Sequence, residues 1–149
     1  MRTINDDLMR AARNGNIELV KLLLENGADC TTRDNWAIRW ASKNGHTEVV
    51  KLLLGHGADC TAEDNYAIRW ASREGHTEVV KLLIDNGADY TADGNDLIMA
   101  SGGGNIELVR FLLDNGADCD NKGNHAIQLA YFNGHTEVVE LLKQHGAVL

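Results

Sequence analysis

The chain repeats itself, and that limits its possible folds more than any other feature. Asn-Gly-Ala-Asp or His-Gly-Ala-Asp returns with glycines at Gly27, Gly57, Gly87 and Gly116, and Gly146-Ala147 closes the series. The intervals are 30, 30, 29 and 30 residues. Between these marks runs a second phrase, Asn-Gly-His-Thr-Glu-Val-Val-Lys-Leu-Leu-Leu at 44–54, with close variants starting at 14, 74, 103 and 133. A fixed period of this size marks a stack of supersecondary units, none of which can bury its apolar face alone. Five units fill the 149 residues, at about 4–33, 34–63, 64–92, 93–122 and 123–149, leaving no room for a linker or a second domain.

Each unit reads as two short helices, around 36–43 and 47–55 in the second. Gly45 and Gly57 follow them, where a residue of left-handed conformation ends a helix at little cost. Helices this short do not persist alone, so each must pack on the neighbouring unit. The composition agrees: 44% of residues are hydrophobic and only 5% aromatic, which suits helices packed through Leu, Val and Ala.

Gly45-His46-Thr47-Glu48-Val49-Val50-Lys51-Leu52-Leu53-Leu54, followed by Gly57-Ala58-Asp59, resembles the second half of the ankyrin repeat, and the phrase recurs in all five units. The resemblance implies an all-α ankyrin solenoid of five helix-turn-helix repeats that binds a protein or peptide partner and catalyses nothing. The first half departs from the family pattern. Trp36-Ala37-Ile38-Arg39 and Tyr66-Ala67-Ile68-Arg69 stand where Thr-Pro-Leu-His is usual, and the chain has no proline. The period is also about three residues shorter than the family's roughly 33. That deficit falls between Asp59 and Trp70, where ankyrin proteins carry a β-hairpin finger, so shortened fingers are expected. The Ala-Ile-Arg-Trp-Ala-Ser phrase with this short period looks most like the ankyrin families of giant DNA viruses, which implies a host cytoplasm. The terminal units read as caps: Asp6, Asp7 and Arg10 replace Trp36, Ala37 and Trp40, and Lys143 and Gln144 replace Leu54 and Gly55.

Other functions meet physical objections. A formal charge of -8 opposes indiscriminate binding to nucleic acid or a membrane surface. No apolar run reaches the roughly 18 residues of a membrane span, and the segment from Met1 to Asp7 lacks the apolar core of a signal peptide, so a soluble cytoplasmic protein is expected. His46, His76 and His135 share one repeat position, as do Cys30, Cys60 and Cys119. Neighbouring helices lie about 8–10 Å apart, too far for one zinc or a disulfide to join equivalent positions. The histidines are therefore expected to be structural residues of the helix-helix turn, and the thiols to be free. Ser42 with His46, or Ser72 with His76, lacks a recurring carboxylate to complete a triad. Gly102-Gly103-Gly104 lacks the strand and the Lys-Ser/Thr of a phosphate loop. No cofactor, metal or catalytic residue is expected. Within a helix, Gly102 and Gly103 would each cost up to about 1 kcal/mol against Ala. The fourth repeat should therefore be the soft point, and Gly102→Ala should stabilise it.

On a wheel of 100° per residue, Ile38, Ala41 and Ser42 share the side that stays nearly constant between repeats. Residues 36, 39, 40 and 43 lie opposite and vary. This stripe reads Trp36, Arg39, Trp40, Lys43 and then Tyr66, Arg69, Trp70, Arg73. Trp, Tyr and Arg are the types that dominate interface energetics, and four cations in an acidic chain suit an acidic or phosphorylated partner segment. Two readings stand side by side. The stripe is a partner-binding face, led by Trp36 and Tyr66, or it is mainly packing between repeats. Family resemblance supports the second, because the Arg39 position often holds a hydrogen-bonded histidine and the Trp40 position an apolar residue. Stacking of bases on the same Trp/Arg/Lys stripe is the alternative to a protein partner. A monomer is expected, with self-association compatible.

Overall fold

The computed structural model describes residues 1–91 and 95–149 as ten α-helices. In chain order they are α1 (Ile4–Asn14), α2 (Ile17–Glu25), α3 (Thr32–Lys43), α4 (Thr47–Gly55), α5 (Ala62–Glu74), α6 (Thr77–Asp85), α7 (Asn95–Gly102), α8 (Ile106–Asp114), α9 (Asn121–Phe132) and α10 (Thr136–Gln144). The 92/93 border expected between the third and fourth repeats lies outside the described residues. The odd-numbered helices pack on one another in order along the stack, and the even-numbered ones line up beside them.

Within a repeat, the two helices meet at a tight turn whose chemistry recurs. The amide of His46 donates to Ala41 and that of Gly45 to Ser42, with Gly45 at φ 76°, which is the Schellman arrangement. His46 then reaches back to the previous repeat, its Nε2 lying 2.9 Å from the Arg13 carbonyl. His76 and His135 do the same to Lys43 and Gly102, and Asn105 takes the role in the fourth repeat. The imidazoles thus link repeats through a carbonyl the helix end leaves open. They lie against the glycines of the preceding turn: a Cβ on Gly45 would sit 2.6 Å from the His76 ring.

The constant side of the wheel is the core. Leu8, Ile38, Ile68, Leu97 and Ile127 are at most 1% exposed, and the matching alanines, from Ala11 to Ala130, are sealed beside them. Apolar burial along this continuous seam is the main stabilising term of the stack.

Between repeats no described residue forms a strand. In place of a finger, three residues near the start of α3 run in the left-handed region, ahead of its right-handed part: Arg33, Asp34 and Asn35 at φ 53°, 54° and 58°. Glu63 to Asn65 and Lys122 to Asn124 repeat this. The right-handed part of α3 therefore begins at Trp36, as the periodicity implied. The asparagine that ends each turn, and Asn5 in the first turn of α1, tie successive loops together. Asn5, Asn35, Asn65 and Asn124 accept through Oδ1 from the amides of Asp29, Asp59, Asp89 and Val148. Asp29 and Asp59 then fold their own loops by accepting from the amide and hydroxyl of Thr31 and Thr61.

The expectation for Gly102 needs correction. The residue ends α7 and does not have a positive φ, so the helix boundary stands. A Cβ there would nevertheless lie 2.5 Å from Leu129 Cδ2, and one on Gly103 would lie 2.5 Å from the Arg73 carbonyl oxygen. These glycines permit close approach of neighbouring elements, so Ala is not a free gain.

Candidate binding face

The first helices of the second and third repeats place their variable stripe side by side. Trp36 and Trp40 stack at 5.2 Å between ring centroids, Trp40 meets Tyr66 at 6.5 Å, and Tyr66 meets Trp70 at 5.8 Å. All four rings are half-buried, and of them Trp36 packs against the core. Trp36 and Trp40 are one turn apart on α3, and Tyr66 and Trp70 one turn apart on α5, so helix stacking alone brings the pairs into one series.

Cations interleave with the rings. The Lys43 ammonium lies 4.6 Å from the Trp40 centroid and 4.1 Å from that of Trp70, and the Arg73 guanidinium lies 4.8 Å from Trp70. Arg13, in the first repeat, stands 5.2 Å from Trp40. A continuous row results: Arg13, Trp40, Lys43, Trp70, Arg73. Such contacts fix the cations electrostatically on the ring faces. A stacked guanidinium keeps its N–H groups directed outward in its own plane. Arg13 and Arg73 are exposed and Lys43 is half-buried.

Arg39 and Arg69 serve a different purpose. Each donates from Nη2 to the carbonyl that opens its own left-handed turn, Arg33 at 3.0 Å and Glu63 at 3.1 Å, while Nε is buried without a partner. Arg39 also lies 5.3 Å from the Tyr66 ring. These two are half-buried turn supports, and Gln128 does the same for Gly123 in the last repeat. Arg13 was missed because the first repeat reads as a cap, although thirty residues separate it from Lys43 and thirty more separate Lys43 from Arg73.

Beyond Arg73 the row breaks into a cleft of about 540 Å³ lined by Arg73, Glu74, Met99, Gly102, Gly103 and Leu129. Gly102 occupies the position of Lys43 and Arg73, so no side chain continues the row at this rung. One repeat further along the same row Phe132 is 82% exposed.

The thiols of Cys30, Cys60 and Cys119 are free and buried. They donate to the carbonyls of His56, Asn86 and His145 in the next repeat, and Tyr90 bonds Asn115 in the same fashion. Burial pushes all three thiols above their ordinary pKa. Among the described residues no group of three His, Cys, Asp or Glu side chains is placed to share a metal ion, and no helix is long and apolar enough to cross a membrane.

A family model described as ankyrin repeats (3 copies) matches residues 8–94 and again 92–149. The chain belongs to the ankyrin-repeat family. No curated protein matches it. Ankyrin-repeat proteins are in general protein-interaction modules and typically scaffolds, not enzymes.

Proposed function

We propose that this ankyrin array binds a protein partner through the first helices of its second and third repeats, and that it catalyses no reaction. The observation that carries this reading is the interleaved series of rings and cations. Trp36, Trp40, Tyr66 and Trp70, with Lys43 and Arg73 held on their faces, offer large half-buried area that needs little further ordering when a partner covers it. Arg39 and Arg69 belong to the same face and hold its turns in shape. An acidic or phosphorylated segment suits the cations in a chain whose net charge is -8. Free thiols suit a reducing cytoplasm, that of a host if the chain is viral, and the array acts there as a monomer. Base stacking on the same rings is the second reading, and the overall negative charge opposes it.

The test is a pull-down from the native cytosol with the intact array, followed by calorimetry on whatever protein is recovered. Truncating Trp70 to Ala should weaken that complex by about 2 kcal/mol or more. Lys43→Glu with Arg73→Glu should slow association and reverse its dependence on salt. If both variants bind like the parent protein, the face is packing only.

A further inference from the structure

The row of cations has a register, and the register defines the shape of what it can hold. Arg13, Lys43 and Arg73 occupy one position in three successive repeats, each in contact with Trp40, Trp70 or both. Helices packed side by side repeat every 8–10 Å or so. A polyproline II segment advances about 3.1 Å per residue with three residues per turn, so every third side chain returns to the same side after about 9 Å. A fully extended strand alternates faces and cannot present every third side chain to one surface.

We infer that the array takes an acidic segment in polyproline II conformation, with carboxylates at every third position over Arg13, Lys43 and Arg73, followed one turn later by an apolar side chain in the cleft at Gly102. This rests on the protein-binding reading and gives it a ligand class. Charge complementarity supports it: the three cations stand in line, and their stacked geometry leaves N–H groups free to meet carboxylates. The fourth rung carries Gly102 and no cation, and the cleft there is lined by Met99 and Leu129 together with the polar side chains of Arg73, Glu74, Asn105 and Asn133. A fourth carboxylate would meet Glu74 as well as Arg73, whereas an apolar side chain can rest on Met99 and Leu129.

The probes are labelled synthetic peptides of one composition, three glutamates and one leucine among prolines. In one the glutamates recur every third residue with leucine at the fourth step, and the sequence is made in both chain directions. In the control the glutamates are adjacent. Fluorescence anisotropy at low salt should show one direction of the periodic peptide binding about ten-fold more tightly than the control. Lys43→Gln should erase that preference, and replacing the leucine by alanine should weaken the parent complex several-fold. Equal binding of periodic and clustered peptides overturns the register. If no peptide binds while a recovered protein partner remains sensitive to Trp70→Ala, the ligand class falls and the binding face stands. If that partner is also insensitive, both fall. Tighter binding of an oligothymidine of equal charge replaces the peptide with single-stranded nucleic acid. Circular dichroism of Lys43→Gln, which carries no buried charge, verifies that the variant folds.

Discussion

Gly103 has no room for a side chain, because a Cβ there would face the backbone carbonyl of Arg73, which cannot swing aside. Gly103→Ala should therefore lose about 1–3 kcal/mol in chemical denaturation, the usual cost of overpacking. Gly102→Ala meets side-chain atoms and no backbone, chiefly Cδ2 and Cγ of Leu129. The helical gain of about 1 kcal/mol is then offset, and the variant should be close to neutral. A full gain would show that Leu129 moves away freely. Two loop aspartates give stability a dependence on acid pH. Hydrogen bonds from the Thr31 side chain and amide hold Asp29 below the usual carboxylate range, and Thr61 does the same for Asp59. A carboxylate depressed in the folded state stabilises above its unfolded pKa, and the contribution is lost as pH falls through the folded value. Melting temperature should thus fall as the solution is acidified below the ordinary carboxylate range. Asp59→Asn, which keeps an acceptor oxygen but cannot titrate, should flatten that fall. An unaltered acid slope would show that Asp59 is not one of the groups responsible.

The left-handed turns are the element that takes the place of the fingers, and they are strained where non-glycine residues occupy them. Each L-residue in this region costs about 1–2 kcal/mol, and glycine's extra chain entropy returns about 0.5–1 of that. Gly123 already fills the middle position in the last repeat. Asp64→Gly should therefore stabilise the array by about 0.5–1 kcal/mol, measured by urea unfolding. Arg69→Ala should act in the opposite sense, losing about 1.5 kcal/mol as the Glu63 carbonyl loses a charged donor. The sequence marked these regions only by what was missing, three residues and a proline. Helix pairs and core were legible because Ile38, Ala41 and their counterparts recur with the helical period, and the glycines mark the ends. The turn was not legible because its recurring Asn35 and Asn65 act on amides twenty-four residues away in the next loop, a link no local pattern reveals. The stripe was legible residue by residue. Its stacking was not, because whether Lys43 meets Trp70 depends on the spacing between repeats. Arginine types alone did not separate Arg39 and Arg69, which support turns, from Arg13 and Arg73, which lie outward on the rings.

A stack of repeats is held by neighbours alone, so its stability is distributed and it opens from its ends. Here the two halves are tied unequally. The interleaved row from Arg13 to Arg73 links the first three repeats across their surface, whereas beyond Arg73 it gives way to the cleft at Gly102 and Gly103. Hydrogen exchange should accordingly show weaker protection in α7 and α8 than in α5 and α6. The three cysteines report the same asymmetry, since each thiol is covered by the repeat that follows it. Cys119 bonds to the last repeat and is 9% exposed, against 4% for Cys30 and 3% for Cys60. Loss of the terminal pair α9–α10 frees Cys119, whereas freeing Cys60 requires the second and third repeats to separate inside the laddered region. Under native conditions at constant pH, a thiol-alkylating reagent followed by mass spectrometry should modify Cys119 first and Cys60 last. In denaturant all three should react at one rate. Burial raises every thiol pKa in the folded state, so constant pH keeps the comparison from reflecting differences in ionisation with the medium. Equal native rates for Cys60 and Cys119 would mean that the array opens as one cooperative unit, and the cleft would then mark no weak joint in the stack.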